Sequence, residues 1–229
     1  MAYLLHLETS TEQCSVALSE NQTLLAHRVE LGQGFSHAAK LHVFIDEVLQ
    51  DAGIVPSQLD AISVSEGPGS FTGLRIGSVA AKGLCFALDI PLITLPTLAV
   101  LAFPFLENAK VISLLDARRD EVYTATYTLE GKECTPAQAH ILTTDSFSEY
   151  IQETCCFVGT GAKKTEALLP PNPNWTFVQT HPTATAMITL ANTAFVNQQF
   201  TDHYAFVPAY IKPVRITPSK KDALGRMVD

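Results

Sequence analysis

The first thirty residues alternate short apolar runs with polar turns. The apolar runs cover residues 3–7, 14–18 and 23–29, and polar stretches separate them. Short runs of this kind, with alternation of period two and polar boundaries, are typical of β-strands joined by tight turns. The chain is therefore predicted to open with a three-stranded β-meander.

The pattern changes to helical spacing at Ser36. This serine is of the residue type that caps helices, and apolar residues then recur at steps of three and four up to Gly53. We predict a helix over residues 36–52. The predicted elements that follow are a strand over residues 59–64, a helix over 72–88, a strand over 91–95 and a short helix over 97–103 that Thr97 caps.

A second unit of similar build begins near Ala109. Its predicted elements are strands over residues 111–115 and 121–129, a helix over 146–153, a strand over 156–159 and a helix over 185–200. Two units that open with antiparallel strands and close with helices predict a duplicated mixed α/β architecture. We place an N-terminal lobe at residues 1–105 and a C-terminal lobe at 106–229, whose last residues are either disordered or packed back on the first lobe.

Three glycines are concentrated between the predicted strand 59–64 and the helix that follows. This motif loop consists of Gly67, Pro68, Gly69, Ser70, Phe71, Thr72 and Gly73. Backbone amides at a helix N-terminus attract anions, but the spacing matches neither the Rossmann pattern nor a Walker A loop. A tight structural turn and a generic anion site both stay open. Arg75 either pairs with an anion or a partner carboxylate, or lies in solvent.

Both N-terminal helices carry more apolar surface than one sheet can cover. In the second helix Gly73, Gly77 and Ala81 form a stripe of small residues, and large apolar residues cover most other directions. In the first helix Ala39 and Val43 fall outside the main apolar face. A helix that is apolar nearly all round must be buried on more than one side. We infer a candidate protein interface there, with packing against the second unit as the alternative.

Composition and charge exclude several classes of protein. The 229 residues are 47% hydrophobic and 17% charged, which favours a folded protein with a sizeable core over a disordered chain. The net charge of −8 disfavours capture of nucleic acid by the whole surface. Five cysteines without a CxxC spacing indicate reduced thiols. The N-terminus lacks the pattern of a signal peptide and no apolar run approaches the length of a membrane span, so we expect a cytoplasmic protein.

Candidate catalytic chemistry is sparse. His37 and His42 are separated by five residues, whereas a helical zinc pair uses a spacing of four. Glu8 and Glu12 flank a turn without glycine, where they would repel a triphosphate. We therefore expect no catalytic residue, no metal and no cofactor. The charged segment 116–121 is either a solvated hairpin turn or a recognition contact.

Five segments together resemble one family. They are residues 7–18 (LETSTEQCSVAL), 36–37 (SH), 67–77 (GPGSFTGLRIG), 116–123 (DARRDEVY) and 208–211 (PAYI). In this order they resemble the TsaB (YeaZ) family, the bacterial accessory proteins for threonylcarbamoyladenosine modification of tRNA. The resemblance covers nearly the whole chain, although residues 129–203 carry little of it. Glu8 departs from the aspartate that is usual in the family's opening motif.

The resemblance implies an actin-like, ribonuclease H-like fold of two lobes (the ASKHA superfamily) and a non-catalytic scaffold. The implied partner is TsaD, which transfers the threonylcarbamoyl group to the adenosine next to the tRNA anticodon, and the ATPase TsaE joins the assembly. The isolated chain would form a homodimer, and tRNA would be contacted indirectly. A stand-alone ATP-binding phosphotransferase or ATPase of the same fold is the alternative, and a peptidase is disfavoured.

The resemblance also places the partner surface on the two N-terminal helices. The predicted contact residues are Ser36, His37, Leu41, Val43, Phe44, Val48, Gly73, Arg75, Ile76, Gly77, Ala80, Ala81 and Leu84. The tail from Lys212 to Asp229 is rich in basic residues. This tail is either a solvated end or a contact with tRNA or TsaD.

Overall fold

The computed structural model describes residues 1–32, 37–107 and 109–212 of the chain. These residues form two five-stranded mixed sheets with helices against them. The predicted cap Ser36 and the basic tail beyond Lys212 lie outside the described residues.

The first sheet has the strand order β3-β2-β1-β4-β5. Its strands are β1 (Tyr3–Glu8), β2 (Gln13–Glu20), β3 (Thr23–Leu31), β4 (Ala61–Gly67) and β5 (Leu92–Pro96). Strands β1 to β3 are antiparallel neighbours, which confirms the predicted meander, and β4 and β5 continue the sheet in parallel with β1. Strand β1 is buried on both faces, which explains its continuous apolar run.

Two helices cover one face of this sheet. Helix α1 (His37–Ala52) packs on β2 and β3, and α2 (Phe71–Leu88) packs mainly on β4. Both helices were predicted to within one residue. Among the described residues, α2 alone is long and apolar enough to cross a membrane. The core helix of a soluble protein passes the same test. Seven of its eighteen residues are buried within this fold.

The second sheet has the order β10-β9-β6-β7-β8. Its strands are β6 (Lys110–Asp116), β7 (Glu121–Tyr127), β8 (Glu133–Ile141), β9 (Cys155–Val158) and β10 (Trp175–Val178), and α3 (Thr97–Ala102) and α4 (Ala162–Leu168) pack against it. Strand β8 was not predicted, because this edge strand is almost wholly exposed and lacks apolar alternation. It also missed α4 and β10, which are short. The helix predicted over 146–153 is only a 3-10 turn (Ser148–Tyr150).

The end of the chain returns to the first sheet. A 3-10 turn (Ala184–Met187) and helix α5 (Ile188–Val196) replace the single helix predicted over 185–200, and they pack on the sheet face opposite α1 and α2. Thr97 is the first residue of α3 rather than its cap. The division of the chain after residue 105 stays a prediction.

Candidate protein-interaction site

The motif loop packs against the turn between β1 and β2. The Ser70 amide donates a 2.7 Å hydrogen bond to the Ser10 carbonyl oxygen, and the Thr9 hydroxyl donates to the Gly73 carbonyl oxygen at 2.8 Å. The Ser70 hydroxyl caps α2 by accepting from the Gly73 amide at 3.3 Å. A Cβ on Gly69 would overlap the Ser10 carbonyl oxygen. These contacts account for the glycines as a tight structural turn.

The stripe of small residues on α2 faces the interior of the chain itself. A Cβ on Gly73 would overlap the carbonyl oxygen of Thr9, and a Cβ on Gly77 would overlap its hydroxyl oxygen. Ala81 is fully buried. The backbone that approaches the stripe therefore belongs to the β1–β2 turn, and the prediction that these three residues contact a partner is corrected.

Five other predicted contact residues are also interior. They are His37, Leu41, Phe44, Val48 and Ala80, all less than 9% exposed. The reason is that the main apolar stripe of α1 and the neighbouring side of α2 pack into the core of the first sheet. Of the remaining predicted residues, Ser36 lies outside the described residues, and the other four lie on or near the surface.

Four predicted contact residues reach the surface of the helix pair. Val43 is 49% exposed, Arg75 is exposed, and Ile76 and Leu84 are half-buried. The predicted set therefore mixes outward and inward positions of the two helices, and contact of the outward residues with a partner stays a prediction. The exposed positions alone are available for a contact in this fold.

Two large apolar side chains that the prediction omitted are more exposed than Val43. Val79 is 70% exposed and Phe86 is 67% exposed, in the middle and last third of α2. At about 100° per residue both lie about 180° to 200° from Gly77. The signal was present in the sequence, since an apolar side chain opposite a buried small-residue stripe points outward.

The C-terminal segment, residues 201–212, lies along the flank of α2. The Lys82 ammonium donates to the carbonyl oxygens of Tyr204 at 3.3 Å and Phe206 at 3.0 Å. Phe206 is buried in the core beneath, and the rings of Phe86 and Tyr204 meet edge to face with centroids 6.2 Å apart. Residues of the chain's own end thus cover part of the apolar surface that the sequence left unassigned.

The same segment reaches the start of α2. The Arg75 guanidinium lies 3.9 Å from the centroid of the Phe71 ring, and its Nε donates to the Tyr210 hydroxyl at 3.3 Å. The Ala209 amide donates to the Glu66 carbonyl oxygen at 2.7 Å. Arg75 therefore makes contacts within the chain, although its side chain stays exposed.

Glu8 lies buried at the end of β1. Its carboxyl accepts from the Ser10 amide at 2.7 Å and from the Ser65 hydroxyl. Burial raises the pKa of Glu8, against the opposing effect of these hydrogen bonds. The carboxyl therefore accepts the hydrogen bond of the Ser10 amide, which would otherwise be free to bind a phosphate.

The other charged and histidine motifs do not converge on a site. His37 is buried with its Nε2 3.4 Å from the Gln13 carbonyl oxygen, whereas His42 is exposed. Within the described residues, no group of three or more His, Cys, Asp or Glu side chains is placed to hold a metal ion. In the second sheet the Lys164 ammonium contacts Asp116 at 2.7 Å, across the exposed β6–β7 turn.

The two mixed sheets, the helix pair and the motif loop define an actin-like protein of two lobes. The TsaD profile, described as tRNA N6-adenosine threonylcarbamoyltransferase, matches residues 34–212. The structure is similar to YeaZ from Pseudomonas aeruginosa, with a TM-score of 0.78 and 30% identity over 92% of this chain and 100% of that one. A second solved structure, an uncharacterized protein with similarity to peptidase YEAZ from Pseudomonas aeruginosa, gives a TM-score of 0.80 at 30% identity, covering 93% and 100%.

Two curated sequence relatives are named TsaB. The chain is 42% identical over 123 residues to the tRNA threonylcarbamoyladenosine biosynthesis protein TsaB of Haemophilus influenzae, covering 52% of this chain and 51% of that protein. It is 37% identical over 127 residues to TsaB of Escherichia coli K12, covering 54% of each. The chain thus spans about half the length of these relatives in the alignments. The chain belongs to the TsaD-like domain family and, within it, to the TsaB (YeaZ) proteins, which confirms the resemblance and the actin-like fold.

Proposed function

We propose that this protein is a non-catalytic accessory subunit that binds a TsaD-type transferase through the exposed face of α1 and α2. The assembly, joined by the ATPase TsaE, would transfer the threonylcarbamoyl group to the adenosine next to the tRNA anticodon, in the cytoplasm. Its relatives are named for biosynthesis of this nucleoside, which supports the pathway. The isolated chain would pair with itself through the same face.

One observation carries the proposal, namely the apolar side chains on the outer side of α2. Val79 and Phe86 are each at least two-thirds exposed, and Val43 on the adjoining α1 is half exposed. An apolar patch on a packed pair of helices is typical of a protein-binding surface. Its burial against a partner would contribute roughly 25 cal/mol for each Å² of apolar area removed from water.

The packing around the β1–β2 turn supports a scaffold rather than an ATPase. In an ATP-binding protein of this fold the turn must present free backbone amides to phosphate. Here the Ser10 amide is held by the Glu8 carboxyl and the Ser70 amide by the Ser10 carbonyl oxygen. Both amides therefore already have a hydrogen-bond acceptor within the chain and are not free to bind a phosphate.

The test is a binding measurement with Val79→Glu. The substitution places a carboxylate in the centre of the apolar face, so we expect the affinity for the purified transferase of the same organism to fall at least tenfold, equivalent to about 1.4 kcal/mol. Val196→Glu is the matched control, because Val196 is also 70% exposed and also lies in a helix, on the opposite side of the first sheet. Calorimetry or interferometry gives the dissociation constants.

A cellular measurement checks the pathway separately. Depletion of the protein should lower the threonylcarbamoyladenosine content of tRNA, measured by mass analysis of nucleosides, and the Val196→Glu gene should restore it while Val79→Glu should not. Equal binding by both variants would contradict the proposed surface. Micromolar binding of ATP and magnesium to the isolated chain would favour the phosphotransferase alternative.

A further inference from the structure

We infer that the C-terminal segment 201–212 forms a third element of the partner surface, so that the transferase contacts Tyr204 and Val207 together with α1 and α2. This inference rests on the proposed function. It adds specificity-determining residues from the far end of the chain to a surface assigned to two helices.

The path of the segment along α2 is the first observation. Tyr204 contacts Phe86, the Tyr204 and Phe206 carbonyl oxygens bind Lys82, and Tyr210 contacts Phe71. The segment therefore runs antiparallel to α2 over nearly its whole length. At about 100° per residue, Phe71, Lys82 and Phe86 fall within about 60° of one another, so they define a single flank of the helix.

The exposed band of α2 lies between this flank and α1. Counted around the helix axis from Phe71 at 0°, Val79 lies at about 80° and Gly83 at about 120°. Ala80 and Leu84, at about 180° to 220°, belong to the core cluster that α1 shares. A partner that covers Val79 must therefore extend over α1 on one side or over the C-terminal segment on the other.

The segment presents apolar side chains outward and is anchored from beneath. Tyr204 is 71% exposed and Val207 is 69% exposed, values that match those of Val79 and Phe86. Phe206, between them, is 9% exposed and belongs to the core cluster under α2. Because the buried ring and the Lys82 hydrogen bonds fix the backbone, a partner would meet a preformed surface and lose little entropy in ordering it.

The transferase is the occupant that the observations favour. Its family profile matches residues 34–212, which include α1, α2 and the C-terminal segment, so such a partner carries counterparts of all three elements. Two related faces can meet about a pseudo-two-fold axis, which sets α1 of one protein against α2 of the other. Exposed Asp46 on α1 and exposed Arg75 on α2 are of opposite charge, which is compatible with such an arrangement.

The test uses the full-length chain with Val207→Glu and, separately, Tyr204→Ala. We expect each to weaken binding of the purified transferase about tenfold or more relative to the Val196→Glu control. Thermal unfolding of every variant checks that the fold is kept. Val207→Glu serves as the primary variant because its side chain is exposed, whereas Tyr204→Ala also removes the contact with the Phe86 ring.

The outcomes separate the two proposals. If Val79→Glu loses binding but both C-terminal variants bind like the control, the inference is overturned and the proposed function stands. If Val79→Glu itself binds like the control, the proposed helical surface fails and the inference fails with it. Loss of binding in Val79→Glu and in both C-terminal variants, with unchanged melting temperatures, supports the composite surface.

Discussion

The same substitution at two glycines of α2 should change stability in opposite directions. A Cβ on Gly83 meets no described atom within 4 Å, whereas a Cβ on Gly73 would overlap the backbone carbonyl oxygen of Thr9. Alanine in place of glycine within a helix gains roughly 0.5 to 1 kcal/mol. We therefore expect Gly83→Ala to stabilise the protein by that amount.

For Gly73→Ala the steric cost exceeds the gain. Overpacking of a core costs about 1 to 3 kcal/mol, and the upper end applies here because a backbone oxygen cannot rotate away. The Thr9 hydroxyl also donates to the Gly73 carbonyl oxygen at 2.8 Å, which holds the two segments together. The net expectation is a loss of about 2 kcal/mol, and a difference of about 3 kcal/mol between the two variants.

Thermal unfolding followed by far-ultraviolet circular dichroism measures this difference. A change of 1 kcal/mol shifts the melting temperature by about 2 to 4 °C in a protein of this size, so the two variants should differ by about 6 to 12 °C. A Gly73→Ala protein that melts at or above the Gly83→Ala protein would refute the assignment of the stripe to internal packing. If Gly73→Ala melts lower, as expected, any weaker binding of this variant to a partner would follow from its lost stability.

Two buried titratable groups give further predictions. His6, fully buried between the hydroxyls of Ser63 and Ser19, has its pKa lowered to about 3 by burial. As the pH falls from about 6.5 to 3, His6 therefore becomes protonated in the unfolded chain but stays neutral in the folded chain. This difference lowers the free energy of unfolding by at most about 1.4 kcal/mol per pH unit. Urea unfolding across this range should show a shallower fall for His6→Gln, and an equal slope would contradict the burial argument. For Glu8, whose pKa is raised by burial, stability should fall as the pH rises above about 4.5, so the stability of Glu8→Gln relative to the unmodified protein should increase with pH from that point; a difference independent of pH would argue against a raised pKa.

Local patterns were sufficient to predict most of the first lobe. The meander and both long helices follow from apolar periodicity and turn residues, because each element buries a face large enough to leave a clear pattern. Strand β8 could not be predicted in this way, since an exposed edge strand has no buried face. Strand β10 and helix α4 are too short for periodicity to distinguish them from loops.

The candidate site also has one part that the sequence predicts and one part that it does not. The excess of apolar residues on α1 and α2 is visible in the sequence, and so is the position of Val79 and Phe86 opposite the small-residue stripe. Which side of α2 faces inward is not a local property, because it depends on where the β1–β2 turn lies. The contact of Thr9 with Gly73 and Gly77 joins residues more than sixty positions apart.

By itself, then, the sequence determined the family, the mixed α/β class and the two helices that carry surplus apolar surface, since motifs and periodicity are local properties. Only the tertiary structure decided which of those apolar residues are free. It placed the glycine stripe against Thr9, and it laid the C-terminal segment along α2 through Phe206 and Lys82. Contacts between distant parts of the chain leave no periodic signal, and these contacts separate the core of this protein from its candidate binding surface.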